Sequence, residues 1–149
     1  MKRLYYGYAA FIDDVKALAD SLKNEKFDCL IAVSRGGLTF AHFLASALNM
    51  RSIALIRAVS YDDRQKLAAP KIATAPDLNG AKKALIIDEI VDSGETLQAV
   101  LRALQKSSPK TAFKSVALFQ KPSASIRADF FAKESADWID FFWEVDPRI

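Results

Sequence analysis

Phe11, Ile12, Val15, Leu18, Ala19 and Leu22 recur at helical spacing, which predicts an amphipathic helix over residues 11 to 24. The period then changes. Cys29 to Val33 is a continuous apolar run of strand length, Ser34-Arg35-Gly36-Gly37 a tight loop, and Leu38 to Asn49 a largely apolar helix closed by Asn49. Ser52 to Val59 reads as a second strand. Residues 60 to 80, with Tyr61, Asp62, Asp63, Arg64, Pro70, Pro76 and Gly80, read as an excursion with little packed structure. Loops of that length in a compact domain are often functional lids. A strand over 84 to 88, a helix over 97 to 106, a strand over 113 to 119 and a terminal aromatic segment through Trp138 and Trp143 complete the pattern. Strands alternating with helices predict an α/β fold built on a parallel sheet with right-handed crossovers.

Composition narrows the class. The 149 residues form one domain, large enough for its own core, with 51% apolar and 26% charged positions. A formal charge of +3 and a pI near 9.0 mildly favour anionic substrates. Basic residues are scattered, without an RNA-recognition signature or a basic helical stripe, so nucleic acid is not an expected partner. Cys29 is the only cysteine and lies in an apolar run, which reads as a buried inert thiol in a reducing compartment. His42, the sole histidine, reads as a packing or surface residue, and together with Cys29 it cannot build an ordinary zinc site. The amino-terminal stretch lacks an apolar signal region and nothing reaches the length of a membrane span, so the expected location is cytoplasmic, without integral membrane association. The nucleophile elbow, the Walker loop and the dinucleotide fingerprint are all absent.

The chemistry concentrates in Ala84 to Leu97, ALIIDEIVDSGETL. Its apolar run places Asp88 and Glu89 at the carboxyl end of a predicted buried strand, the edge where open α/β sheets bind ligands. Asp92, Ser93, Gly94, Glu95 and Thr96 then supply hydroxyls, a glycine that admits close approach, and amides at a helix start, the ingredients of a phosphate cradle. Carboxylates at one end accept ribose hydroxyls and the helix start receives a phosphate, so the combination suits a sugar phosphate.

Four apolar residues, two acids, two apolar residues and D-[ST]-G-x-T resemble the phosphoribosyl-diphosphate signature of type I phosphoribosyltransferases, with Ser93 where threonine is commoner. Ser34, Arg35, Gly36 and Gly37 resemble the pyrophosphate loop of the purine-salvage branch, and Ser60-Tyr61-Asp62 resembles the start of the flexible catalytic loop in 6-oxopurine enzymes. Phe119-Gln120-Lys121-Pro122 and Trp138-Ile139 are similar to the base pocket of bacterial xanthine and xanthine-guanine phosphoribosyltransferases. Phe141, Phe142 and Glu144 depart from that pattern.

The resemblance implies a parallel sheet flanked by helices, with a hood from the terminal segments, residues 121 to 149 contributing to base binding. It implies a flexible loop over 60 to 80 that includes Ser60 and Tyr61, a homodimer or homotetramer, and Mg²⁺ held near Asp88 and Glu89. Lys121 would donate to the purine O6, Trp138 would stack on the ring, and the Ile139 backbone would touch its position-2 edge. Asp92 is the candidate general base. The implied reaction joins a 6-oxopurine to phosphoribosyl diphosphate. A pyrimidine or orotate phosphoribosyltransferase shares the 84 to 97 signature, and a non-catalytic regulatory protein of the same fold is the rival of another class.

Overall fold

The computed structural model describes residues 2–62 and 65–146. In chain order its elements are β1 (Arg3–Tyr6), α1 (Tyr8–Leu22), β2 (Cys29–Ser34), α2 (Leu38–Ala47), β3 (Ile53–Asp62), β4 (Gln65–Ile72), β5 (Lys83–Val91), α3 (Glu95–Ser107), β6 (Ala112–Gln120), β7 (Phe130–Glu134) and β8 (Trp138–Phe141). The main sheet has the order β4-β3-β2-β5-β6-β7, parallel throughout except for β4, which returns antiparallel along β3. β1 and β8 make a separate parallel pair.

The central strands read as unbroken apolar runs because helices cover both of their faces. Leu30, Ala32, Leu85 and Ile87 pack with Phe11, Leu18, Phe40 and Leu44 of α1 and α2. Ile31, Val33, Ala84 and Ile86 pack with Leu97, Val100 and Leu104 of α3. The small sheet is fastened to the α1 side by rings. Phe11 lies 6.3 Å from Tyr6, 5.4 Å from Phe142 and 5.4 Å from Trp143, and such pairs contribute roughly 0.5–1.5 kcal/mol each beyond their buried area.

One feature of the ladder creates the site. Pairing between β2 and β5 ends at Ala32 opposite Ile87, although β2 continues along β3 to Ser34 and β5 continues along β6 to Val91. The two central strands fork. The fork coincides with the reversal of strand order, since the chain leaves β2 toward β3 on one side and fills β5 to β7 on the other.

Several elements differ from expectation. The helix predicted over 11 to 24 begins at Tyr8, and the one predicted to reach Asn49 ends at Ala47, with Asn49 at a positive φ of 53°. The strand predicted over 84 to 88 runs on to Val91, because β6 keeps offering partners after β2 has diverged. The excursion predicted over 60 to 80, including Ser60 and Tyr61, is largely a hairpin: β3 extends to Asp62, and β4 pairs Lys66 with Tyr61 and Gln65 with Asp62. Pro70 fits there because β4 is an edge strand and needs hydrogen bonds on one side only. Asp63 and Arg64 of that excursion, and residues 147–149 of the expected hood segment, lie outside the described residues. Within the 121 to 149 segment, β7 joins the main sheet and β8 the small one. His42 meets Phe43 edge-on and Cys29 is buried.

Candidate active site

At the fork a cavity of ≈350 Å³ is lined by Val33 to Gly36 of the β2–α2 turn, by Ala58, Ser60 and Lys66 of the hairpin, and by Asp88 to Leu97. Two segments distant in sequence are thus brought together by adjacent strands. The Ser34–Arg35 peptide is cis. Gly37 is required by proximity, since a Cβ there would lie 2.8 Å from the Val33 carbonyl oxygen and 3.1 Å from Asp88 Cα. A Cβ on Gly36 would instead overlap the Glu89 carboxylate. Backbone cannot swing aside, whereas a carboxylate can. Gly37→Ala should therefore lose about 1–3 kcal/mol by overpacking, while Gly36→Ala should change stability little and displace Glu89. Urea denaturation of both variants checks this, and equal losses would contradict it.

Asp88 and Glu89 are adjacent carboxylates that line the cavity, with the Glu89 amide donating to Asp88 Oδ1 at 2.9 Å. Burial pushes Asp88 up to about 6, against the downward pull of its hydrogen bonds with Glu89. Glu89 is raised well above the usual carboxylate range by burial first, then by the negative charge of Asp88 and their shared hydrogen bond, then by Glu144. Paired, partly buried acids of this kind suit a ligand that brings hydroxyl donors or a cation.

Across the cavity the chain turns at Gly94, whose φ of 93° is left-handed and whose missing Cβ would meet Ile126 Cγ2 at 2.6 Å. Ser93 Oγ accepts from the Glu95 amide at 3.2 Å, and the Gly94 carbonyl oxygen accepts from Gln98 N at 3.0 Å. The positive end of α3, with first-turn amides that have no partner inside the helix, opens on the cavity. The hairpin closes over it: Ser60 Oγ and Thr96 Oγ1 share a hydrogen bond of 2.9 Å, and Lys66 Nζ lies 3.7 Å from Glu95 Oε2. That ion pair is half-exposed and contributes little to stability.

The three residues assigned to a base pocket are placed differently from one another. Lys121 is largely enclosed, and its Nζ lies 3.2 Å from Asp92 Oδ1. Trp138 is half-exposed on β8 with the Arg3 guanidinium 5.9 Å above its ring, and the same guanidinium forks onto Asp140 at 2.9 and 2.6 Å. Ile139 is buried in the α1-side core. None of these three residues lines the 350 Å³ cavity. Sequence reasoning missed Lys66, which had no signal beyond lying in a polar excursion, and Ala58, an ordinary small residue of the predicted strand over 52 to 59. It also missed a second cavity of ≈680 Å³ that shares Arg35, Gly36 and Glu89 with the first and adds Trp143 and Glu144.

Among the described residues no group of three or more histidine, cysteine or acidic side chains could hold a metal ion alone. No described helix is long and apolar enough to cross a membrane.

Residues 5–148 match the phosphoribosyl transferase domain family. The chain is 33% identical over 129 residues to a xanthine-guanine phosphoribosyltransferase of Idiomarina loihiensis, covering 83% of this chain and 75% of that one. Its structure is similar to that of a Helicobacter pylori xanthine-guanine-hypoxanthine phosphoribosyltransferase, with a TM-score of 0.87, 42% identity, and coverage of 98% of this chain and 96% of the other. A purine phosphoribosyltransferase from Pyrococcus horikoshii matches with a TM-score of 0.82 and 29% identity, over 100% of this chain and 99% of that one.

Proposed function

The chain belongs to the phosphoribosyl transferase domain family, and from that premise we propose that it is a purine phosphoribosyltransferase. It joins a 6-oxopurine (xanthine, guanine or hypoxanthine) to phosphoribosyl diphosphate, giving the nucleoside 5′-monophosphate and pyrophosphate. The observation that carries this reading is the placement of Asp88 and Glu89 opposite the α3 N-terminus in one cavity, with Lys121 held on Asp92.

The ribose 2′- and 3′-hydroxyls donate to Asp88 and Glu89, and the 5′-phosphate is received by the Ser93 to Thr96 turn and the first amides of α3. Arg35 and the Gly36 amide take the diphosphate, while the Gly37 amide donates to the Val33 carbonyl at 2.8 Å and holds the loop. As the bond from C1′ to the diphosphate loosens, positive charge grows on the ribose, and the nearby carboxylates stabilise it while Arg35 stabilises the departing anion. Asp92 takes the proton from the imidazole side of the purine. Lys121 donates to O6, Trp138 stacks on the ring, and the Ile139 backbone meets the position-2 edge. The β3–β4 hairpin, carrying Ser60 and Tyr61, excludes water from the reacting centre.

Two hard-oxygen carboxylates, too few to enclose an ion by themselves, fit a Mg²⁺ that keeps waters and borrows substrate oxygens. Asp88 and Glu89 would hold it, and when bound it supplies countercharge to the diphosphate.

Pyrophosphate release measured with xanthine, guanine, hypoxanthine, adenine and orotate tests the reading. Turnover should be confined to the 6-oxopurines, because the Lys121 ammonium only donates and adenine presents an amino group at that position. Lys121→Met deletes the donor and keeps much of the stem, so it should lower catalytic efficiency roughly 10- to 150-fold on oxopurines, the worth of a charged hydrogen bond. Discrimination against adenine should fall with it. Full selectivity in the variant would show that Lys121 does not read O6.

A further inference from the structure

Gln120 is the last residue of β6 and is fully buried, with no exposed area. A buried amide needs a donor and an acceptor in fixed places, and here both come from the loop that follows it. Its Nε2 donates to the Ile126 carbonyl at 3.1 Å and lies 3.4 Å from the Lys121 carbonyl, while its Oε1 accepts from Ala128 N at 2.9 Å. One side chain therefore spans the loop over residues 121 to 128.

That loop touches both halves of the site. At its start the Lys121 amide donates to the Val91 carbonyl at 2.9 Å, which fixes the stem of the side chain whose Nζ sits 3.2 Å from Asp92. At its middle Ser125 donates twice to the Ser93 carbonyl, from its amide at 2.8 Å and from its hydroxyl at 3.0 Å. Ile126 packs where a Gly94 Cβ would be. Beyond Ala128, Asp129 Oδ2 accepts from Ser115 N at 2.8 Å, which anchors the far end. The loop is the common backing of the Lys121 ammonium and the Ser93–Gly94 turn, and Gln120 is its internal clamp.

We propose that Gln120 is a positioning residue that clamps the loop over residues 121 to 128, so that Lys121 is aimed at the purine and the phosphate turn is held from behind. It reaches neither substrate. Its effect on purine selectivity rests on the proposed reading of Lys121, whereas its effect on the loop does not.

Gln120→Met preserves length and volume but removes the donor and the acceptor together, and Gln120→Glu keeps an acceptor for Ala128 while losing the donor to Ile126. Both are made in the full chain beside Lys121→Met and the Gln120→Met/Lys121→Met double variant. Hydrogen exchange reads the clamp directly: in Gln120→Met the Ser125 amide should lose protection while amides of β5 keep theirs, and Gln120→Glu should fall between. Kinetics reads the consequence through the ratio of kcat/KM on guanine to that on adenine, which is indifferent to the fraction of folded enzyme. Gln120→Met should lower that ratio roughly tenfold, and in the Lys121→Met background it should lower it no further, the signature of two residues acting as one. A Ser125 amide that stays protected in Gln120→Met overturns the clamp. Lost protection with an unchanged ratio, while Lys121→Met alone lowers it, overturns the positioning role. If Lys121→Met itself leaves the ratio unchanged, the purine reading of Lys121 fails, and the clamp stands or falls on the exchange result.

Discussion

The Asp88→Asn/Glu89→Gln double variant is expected to be nearly inactive and more stable than its parent. In the proposed mechanism the two carboxylates hold the ribose hydroxyls and face the positive charge that grows on the sugar. Neutralising both should lower turnover on the order of 10³-fold, the upper range for removing one preorganised electrostatic partner. The stability gain follows from what burial does to the free protein. Asp88 is raised to about 6 and Glu89 higher still, so between the ordinary carboxylate range and those raised values the folded chain holds more protons than the unfolded one. Stability of the parent therefore falls as pH rises through that window and stays lowered above it. The two acids titrate as a pair, and both raised values penalise the ionised folded chain. Amides carry no such penalty. Thermal melts at about pH 8 should place the variant above the parent, and the difference should shrink as pH falls through the ordinary carboxylate range and vanish at about pH 2, where both acids are protonated in either state. A variant that is less stable at the higher pH, or that keeps near-normal pyrophosphate release, would assign the pair a structural role.

Asp92→Asn should lower kcat roughly 10²- to 10⁴-fold, the usual contribution of a positioned general base. The asparagine keeps an oxygen for Lys121 to approach, so Lys121 should stay in place and selectivity against adenine should survive. Binding of phosphoribosyl diphosphate, followed by calorimetry, should change modestly, because the acid pair and the α3 amides are untouched. A loss confined to phosphoribosyl-diphosphate affinity, or to purine selectivity, would instead make Asp92 a holder of phosphate or of Lys121.

What was legible in the sequence follows a physical division. The strands at 29 to 33 and 113 to 119 were readable because both faces of a central parallel strand are buried, which forces continuous apolar runs. The hairpin was not, because β4 is an exposed edge strand with no buried position, its partly covered residues at no regular period, and a proline inside it. The four-residue β1 escaped for a similar reason, with only Tyr6 of its residues buried. Within the site, Asp88, Glu89 and the turn from Asp92 to Thr96 were readable because one strand–turn–helix unit carries them all in contiguous sequence.

By itself, then, the sequence determined the parallel α/β core and the order of acid pair, Ser93–Thr96 turn and lysine, since apolar periodicity and local turn chemistry are properties of neighbouring residues. Only the tertiary structure decided that β2 and β5 part after Ala32 and Ile87, that Ser60 meets Thr96 and Lys66 approaches Glu95, and that Gln120 clamps the loop behind Ser93. Those contacts join segments whose spacing along the chain carries no trace of the pairing. Closing the sheet and burying an amide beside its complements is what selects them.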